Sequence, residues 1–263
     1  MIKIKNLHFT YPGAAHATLN GVNLEIKRGE FIAIIGNNGS GKSTLGKILV
    51  GLEKPEQGKI LILEKERTLE NMSKIREDIS LVFQNPNNQI IGNKVIDDLA
   101  FSLENRGISK CEMERKIFEI SKKIGIEDLL NKDPETLSGG QKQIVAIAGI
   151  LIFNPEIIIF DEINSMLDMI WKKKILELIK TLKKEHTIIL ITHDPEELVI
   201  SDRIVYLEKG KIISDMPSKD FYKNSSFIEQ QSLELPFIVE VENYLKKKCK
   251  NKEGIEQWLN RLK

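Results

Sequence analysis

Short apolar runs recur along this chain, with helix-forming segments between them. The runs lie at residues 31–35, 79–83, 157–160, 187–191 and 204–207. A run of apolar residues without polar alternation is typical of a parallel strand that is buried on both faces. Strands that alternate with helices predict an α/β fold, in which helices cover both faces of a mostly parallel sheet.

Two parts of the chain depart from this alternation. Residues 2–5 and 22–26 alternate polar and apolar positions on either side of a turn-rich stretch, which predicts a small antiparallel β subdomain at the N-terminal end. Residues 59–63 predict a further short strand pair. Residues 95–149 are rich in helix formers with apolar residues at helical spacing, and they predict a helical insert.

The pattern weakens from residue 215 onward, so a C-terminal tail is expected there. Pro236 lies in the first turn of a predicted tail helix, and a second short helix is predicted over residues 255–262. The first tail helix carries apolar residues on one face, at Ile238, Val241 and Leu245.

Composition narrows the range of partners. Hydrophobic residues make up 41% of the chain and charged residues 29%, and the net charge is +1. A nearly neutral chain has no overall field that would attract nucleic acid or an anionic membrane, so no nucleic-acid partner is expected. Cys111 and Cys249 match no metal-ligand spacing, which indicates free thiols in a reducing compartment. No apolar run approaches the ~18 to 20 residues that cross a bilayer, so other subunits would span any membrane.

Residues 36–43 fit the pattern G-x-x-x-x-G-K-[ST], with Thr44 directly after it, between an apolar strand and a predicted helix. Glycines let backbone N–H groups converge on phosphate oxygens at a helix N-terminus, Lys42 would reach the terminal phosphates, and Ser43 would offer a hydroxyl to Mg²⁺. The chain therefore predicts a nucleotide site with Mg²⁺. Its predicted phosphate-binding residues are Gly36, Asn37, Asn38, Gly39, Ser40, Gly41, Lys42, Ser43 and Thr44.

Asp161 and Glu162 follow the strand predicted at residues 157–160. Two carboxylates at the end of a buried strand must face a ligand, where a metal can compensate their charge. Asp161 would hold Mg²⁺ through water, and Glu162 would polarise the water that attacks the γ-phosphate. Two acids after a strand more often form a capped turn, but the phosphate loop upstream favours the metal and catalytic roles.

Gln84 and His193 end two further predicted strands, and such strand ends line the ligand crevice of an α/β sheet. Both residues are predicted to be catalytic, because an amide and an imidazole there can hydrogen-bond the attacking water, the metal or the γ-phosphate. Gln84 is therefore also a candidate metal ligand. Tyr11 is predicted to stack its ring on adenine. The alternative for Tyr11 is an aromatic residue packed in a turn.

The run Leu137-Ser138-Gly139-Gly140-Gln141 opens a helix predicted over residues 142–151. A serine N-cap and two glycines can present a hydroxyl and backbone N–H groups to a γ-phosphate at the positive helix end. Because the run belongs to the helical insert, it is expected to lie away from its own phosphate loop. We therefore predict that Ser138, Gly139, Gly140 and Gln141 bind the ATP of a partner subunit.

The order of these motifs, with Ser-Met-Leu-Asp at residues 165–168, resembles that of ABC-transporter nucleotide-binding subunits. The resemblance covers residues 1–215, and it implies a P-loop NTPase domain that hydrolyses ATP, with a helical subdomain at about 95–150. Three shorter segments resemble the ATPases of energy-coupling factor (ECF) transporters, of the first-paralogue type. These segments are residues 83–89, residues 95–105 and Leu235-Pro236-Phe237.

The resemblance to ECF ATPases implies a set of partners at the cytoplasmic face of the cell membrane. The implied partners are a second ABC ATPase subunit (homodimer or heterodimer with a paralogue), an integral membrane scaffold and a substrate-binding membrane subunit. ATP hydrolysis would energise uptake of a vitamin or a transition-metal ion. A groove beside Gln84 would receive the scaffold, and residues 216–263 would form an extension that stabilises the dimer.

A few positions depart from the pattern of the family. Asn87 replaces an acidic residue, Ile163 and Asn164 replace Ala-Thr, and Ile144 replaces Arg. None of these changes removes a group that hydrolysis needs. Two alternative functions stay open at this point: the ATPase of a conventional importer that uses a binding protein, and a soluble ABC ATPase that acts outside transport.

Overall fold

The computed structural model describes residues 1–248, with side chains described up to Leu245. The strands of this range are β1 (Ile2–Phe9), β2 (Leu19–Ile26), β3 (Phe31–Ile35), β4 (Gln57–Ile62), β5 (Lys65–Glu66), β6 (Ile79–Val82), β7 (Ile157–Asp161), β8 (Thr187–Ile191), β9 (Arg203–Glu208) and β10 (Lys211–Pro217). The α-helices are α1 (Lys42–Leu49), α2 (Met72–Asp78), α3 (Val95–Glu104), α4 (Lys110–Ile124), α5 (Gly139–Leu151), α6 (Met169–Leu182), α7 (Pro195–Leu198), α8 (Ser218–Phe221), α9 (Ser225–Gln230) and α10 (Phe237–Lys248).

The strands form two sheets. The larger sheet has the order β10-β9-β3-β8-β7-β6, and all its neighbouring strands are parallel except β10 and β9. The smaller sheet, β2-β1-β4-β5, is antiparallel throughout. The predicted mostly parallel α/β fold and the predicted N-terminal antiparallel β subdomain are both confirmed.

Alternate residues of β7 show how the parallel sheet is covered on both faces. Ile157 and Ile159 pack in a core that includes the apolar side of α1, whereas Ile158 and Phe160 pack in a core that includes α5 and α6. Cutting one such fully buried isoleucine to alanine costs about 2–5 kcal/mol of stability. The apolar runs are therefore continuous because each face of the strand meets a helix layer.

The helical insert is built from α3, α4 and α5. Ile117, Ile120 and Ile124 are buried on one face of α4, as their spacing predicts. The helix predicted from residue 142 begins earlier, at Gly139, because Ser138 caps it. No helix of residues 1–248 is long and apolar enough to cross a membrane.

The strand β10 ends at Pro217, near residue 215, where the tail is expected to begin. Phe221 and Ile228 of α8 and α9 are buried against Tyr206 of the sheet. The predicted tail helix is α10, and its predicted apolar face at residues 238, 241 and 245 is half-buried. The second tail helix, predicted over residues 255–262, lies outside the described residues.

Candidate functional site

The phosphate loop connects β3 to α1 at the carboxyl edge of the parallel sheet. Gly36 has φ 146°, and a β-carbon there would lie 2.0 Å from the carbonyl oxygen of Leu207. Gly41 has φ 104°, and a β-carbon there would lie 2.6 Å from the carbonyl oxygen of Thr18. Both positions require glycine for conformation and for space. The loop is therefore held tightly against its neighbours.

Lys42 lies inside the curve of this loop, with 5% of its surface exposed. Its Nζ donates hydrogen bonds to the carbonyl oxygens of Gly36 (2.8 Å) and Asn37 (3.3 Å), and it lies 3.8 Å from Oε1 of Glu162. Burial lowers the pKa of the Lys42 ammonium, and the carboxylates of Glu162 and Asp161 partly offset that effect. Phosphate oxygens bound in this loop would take the place of these carbonyl oxygens as partners of the Lys42 ammonium.

Ser43, at the start of α1, contacts Asp161, at the end of β7. The hydroxyl of Ser43 donates a 2.8 Å hydrogen bond to Oδ1 of Asp161, which is 5% exposed. Burial raises the pKa of the Asp161 carboxyl, the Ser43 hydrogen bond opposes the rise, and Glu162 adds to it. A hydroxyl oxygen and a carboxylate oxygen are ligands of the kind that Mg²⁺ prefers. The pair therefore fits a Mg²⁺ site.

Glu162 is the point where the predicted catalytic residues meet. Its carboxylate Oε2 lies 3.4 Å from Nε2 of Gln84 and 3.5 Å from Nδ1 of His193. Its backbone has φ 49°, a left-handed conformation that costs a non-glycine residue of order 1–3 kcal/mol. The N–H of Glu162 donates to the carbonyl oxygen of Ile191 at 2.9 Å, which holds this strained turn against β8.

Sequence reasoning assigned no role to Ser165, which the structure places beside both Gln84 and Glu162. Nε2 of Gln84 donates to Oγ of Ser165 at 3.2 Å, and that hydroxyl donates to the carbonyl oxygen of Glu162 at 2.8 Å. The backbone N–H of Ser165 also donates to the carbonyl oxygen of Glu162 at 3.1 Å, so residues 162–165 form a turn, in which serine is a common residue. The contact with Gln84 has no local signal, because the two residues are 81 positions apart.

A cavity of about 590 Å³ opens above the phosphate loop. Tyr11 lies on its wall, where the hydroxyl is 3.4 Å from Oγ1 of Thr44 and the ring packs edge-on against Phe9 at 4.8 Å. Thr18, which the sequence did not single out, lines the same wall. The full lining within the described chain is Tyr11, Thr18, Asn38, Gly39, Ser40, Gly41, Lys42, Ser43, Thr44, Gln84 and Glu162.

Ser138 caps α5 at a separate place in the molecule. The N–H of Gln141 donates to Oγ of Ser138 at 3.3 Å, and the N–H of Ser138 donates to Oε1 of Gln141 at 3.0 Å, which together form a capping box. None of Ser138, Gly139, Gly140 and Gln141 is among the described residues that line the phosphate-loop cavity. The start of α5 therefore takes no part in lining this chain's own phosphate-loop cavity.

Comparison with known proteins decides the family. A family model described as "ABC transporter" matches residues 19–165. The chain belongs to this ABC transporter family. The chain is accordingly an ATPase, which binds and hydrolyses ATP.

Curated relatives place the chain more closely within the ABC family. It is 45% identical to the energy-coupling factor transporter ATP-binding protein EcfA1 of Mycoplasmopsis synoviae, over 93% of both chains. It is 44% identical to the protein of the same name from Ligilactobacillus salivarius, over 94% of this chain and 89% of that one. The resemblance to ECF ATPases is confirmed.

Two solved structures share the fold of this ECF ATPase. One is cbiO1 from Clostridium perfringens, described as part of the ABC transporter complex cbiONQ (TM-score 0.78, 34% identity, 92% of this chain and 98% of that chain). The other is the ATP-binding cassette MJ0796, solved as a dimer in a post-hydrolysis state bound to ADP and Pi (TM-score 0.76, 34% identity, 83% and 99%). The P-loop NTPase fold of the ABC type is thereby confirmed.

In this ECF ATPase the segment after Gln84 is fastened to the helix that follows the Leu-Ser-Gly-Gly-Gln run. Nζ of Lys142 donates to Oδ1 of Asn87 at 2.9 Å, and Nε2 of Gln89 donates to the carbonyl oxygen of Ala146 at 3.1 Å. These contacts join the segment after Gln84, which is predicted to act on this chain's own ATP, to α5, whose start is predicted to bind the ATP of a partner subunit.

Proposed function

We propose that this chain supplies two separate halves of an ATP site. One half is its own phosphate-loop cavity, and the other half is the Ser138–Gln141 helix start, which completes the cavity of a second ATPase subunit. The separation of the capping box from the cavity supports this arrangement. The dimeric state of the related cassette MJ0796 supports it further. Hydrolysis would then require the dimer.

The observation that carries the proposed chemistry is the convergence of Lys42, Gln84 and His193 on Glu162. Glu162 would act as the base that orients and polarises the attacking water. Gln84 and His193 would hydrogen-bond the water or the γ-phosphate, and Lys42 would hold the terminal phosphates.

Ser43 and Asp161 would hold Mg²⁺, with Gln84 completing its surroundings. The ion, when bound, supplies positive charge to the β- and γ-phosphates. The chain's own contribution is to aim the Ser43 hydroxyl and the Asp161 carboxylate at one point, which their 2.8 Å hydrogen bond already does. The low exposure of Asp161 makes a compensating cation favourable there.

We further propose that the groove behind Gln84 receives an integral membrane scaffold, which also holds a substrate-binding membrane subunit. The groove is about 790 Å³ and is lined by Asn87, Ile90, Ile91, Gly92, Asn93, Asp133, Pro134, Glu135 and Lys142. Because Lys142 and Gln89 fasten this wall to α5, a push on the groove would reach the Ser138 end of that helix. The chain would act at the cytoplasmic face of the cell membrane, energising uptake of a vitamin or a transition-metal ion.

Replacing Glu162 by glutamine tests the assigned chemistry. The Glu162→Gln variant should bind ATP and remain a closed ATP-bound dimer, while hydrolysis falls by about 10²–10⁴-fold. Phosphate release and gel-filtration size with ATP are the measurements. Full turnover by this variant would overturn the role given to Glu162.

Mixing two inactive variants tests the shared site. Ser138→Arg should bind ATP but not hydrolyse it, and Lys42→Ala should lose its own site while keeping its helix start. In a homodimer, mixing the two would restore one intact site in each mixed dimer. Full hydrolysis by Ser138→Arg alone would contradict the shared site, and an inactive mixture would indicate a paralogue as the partner.

Purification from detergent-solubilised membranes tests the transport assignment. Recovery with a small integral scaffold and a separate substrate-binding membrane protein is the expected result. Recovery with membrane subunits that receive an extracytoplasmic binding protein would support a conventional importer instead. Recovery without any membrane protein would count against both transporter functions.

A further inference from the structure

Glu197 is a buried carboxyl outside the ATP cavity. It lies on the short helix α7, four residues after His193, and only 2% of its surface is exposed, whereas Asp194 and Glu196 on the same segment reach solvent. Placing a carboxyl group in the interior is unfavourable unless polar groups there compensate it. The polar neighbours of Glu197 are therefore the groups through which this buried carboxyl would act.

Two polar neighbours of Glu197 are equally buried and belong to different catalytic loops. Asn164 is 1% exposed and lies two residues after Glu162, while Thr192 is 2% exposed and directly precedes His193. The side chains of both lie near enough to the Glu197 carboxyl to lower its pKa. It thus lies between the loop that carries Glu162 and the loop that carries His193.

The polar groups of this cluster are close together but incompletely paired. Within the described chain, Oε2 of Glu197 and both amide atoms of Asn164 form no hydrogen bond of ordinary geometry. A neutral carboxyl offers one O–H donor and an acceptor oxygen, and a primary amide offers the matching acceptor and donors. The two side chains are therefore chemically complementary.

Burial favours the neutral form of Glu197. It raises the pKa of the carboxyl, and the neighbouring Thr192 and Asn164 side chains oppose the rise. The Asp194 carboxylate raises this pKa further, whereas the Lys172 ammonium lowers it. Lys172 and Asp194 form a 3.0 Å ion pair at the edge of the cluster, which ties α6 to the start of α7.

The two loops that Glu197 joins need such a connection. Glu162 keeps its strained backbone only because the surroundings hold it, and its carboxylate lies 3.5 Å from the ring of His193. That distance depends on how the loop after β7 is placed against the loop after β8. A polar bridge between Asn164 and Thr192 would fix this placement from behind the site.

We propose that Glu197 is a positioning residue for ATP hydrolysis, which holds Asn164 and Thr192 together and so sets Glu162 and His193 at working distance. Glu197 itself does not touch ATP. The inference rests on the proposed roles of Glu162 and His193.

The test compares two substitutions of Glu197 in the full-length chain, within the assembly with which it co-purifies. Glu197→Leu fills the space without hydrogen bonds, and misplacement of catalytic groups of this kind lowers kcat by about 100-fold. Glu197→Gln has nearly the shape of the neutral acid and should keep most of kcat. The Kd for ATP should stay at the wild-type value in both, because the phosphate loop is built from other residues.

Controls separate positioning from folding. Glu177→Leu makes the same change at an exposed site on α6 and should leave kcat unchanged. If Glu197→Leu does not fold, Asn164→Ala takes its place as the test of positioning. This variant should lower kcat while ATP binding persists. The inference would be overturned by a wild-type kcat in Glu197→Leu, or by an equal loss of kcat in the leucine and glutamine variants. It would also be overturned by a wild-type kcat in Asn164→Ala where that variant decides.

Glu162→Gln, measured in parallel, distinguishes the inference from the proposed function. Full turnover by Glu162→Gln would overturn the proposed function. An inactive Glu162→Gln beside a fully active Glu197→Leu would overturn only the role of Glu197.

Discussion

The indole ring of Trp171 occupies the space that a β-carbon on Gly140 would need. A β-carbon built there lies 2.1 Å from Cγ of Trp171, closer than any real contact. Trp171 lies in the first turn of α6, three residues after Asp168, whose carboxylate caps that helix. The second glycine of the Leu-Ser-Gly-Gly-Gln run is therefore needed for helix packing as well as for its predicted approach to phosphate.

Gly140→Ala should destabilise the protein by about 1–3 kcal/mol, because the ring or the helix must shift to admit the methyl group. Gly139→Ala is the matched control for stability, since its β-carbon would meet only Cδ2 of Leu167 at 3.8 Å. Urea unfolding of the two variants is the measurement. In a Trp171→Ala background the clash is absent, so Gly140→Ala should cost little stability there. The same loss of stability in that background as in wild type would contradict this explanation.

Ser43→Ala should weaken the protein even without metal or nucleotide. Asp161 would lose its 2.8 Å hydrogen bond while remaining buried, and an unsatisfied buried polar group costs about 1–3 kcal/mol. Ser43→Thr keeps a hydroxyl and should retain most of the stability. Chemical unfolding in the presence of a chelator measures this effect, and equal stability of Ser43→Ala and wild type would show that the bond contributes nothing.

Tyr11→Ala should weaken ATP binding if the ring stacks on adenine. Loss of stacking on a base is worth about 1–3 kcal/mol, which corresponds to a Kd raised by about 5- to 150-fold. Tyr11→Phe keeps the ring and loses only the long 3.4 Å contact with Thr44, so its Kd should stay near wild type. Titration with a fluorescent nucleotide gives both values. An unchanged Kd for Tyr11→Ala would favour the alternative of an aromatic residue packed in a turn.

Glu197→Gln should change how stability depends on pH. Burial raises the folded-state pKa of Glu197 above its ordinary value of 4.5, so the folded protein holds this proton more tightly than the unfolded chain. The contribution of Glu197 to wild-type stability is complete below about pH 4.5 and is lost as the pH rises through the raised folded-state pKa. The glutamine cannot titrate, so its stability relative to wild type should increase across that window and then level off.

Urea unfolding of both proteins at several pH values measures this difference. The other titratable groups, including Asp194 and Lys172, are present in both proteins, so the difference isolates the titration of Glu197. A difference that does not vary with pH would contradict the raised pKa.

The sequence by itself determined the strands of the parallel sheet and the identity of the motif residues. These signals are local: an apolar run shows burial on both faces, and G-x-x-x-x-G-K-[ST] contains the glycines and the lysine of a phosphate loop within eight positions. The ends of helices were less well predicted where a capping residue sets them. Because Ser138 caps α5, this helix begins at Gly139, three residues before its predicted start.

Only the tertiary structure decided which distant side chains touch. Gln84 reaches Glu162 across 78 positions because β6 and β7 are neighbours in the sheet, and His193 reaches it because β8 lies on the other side of β7. Glu197 looks in the sequence like one of several acids on a short polar segment. Its burial against Asn164 and Thr192 follows from the packing of two loops, which no local pattern encodes.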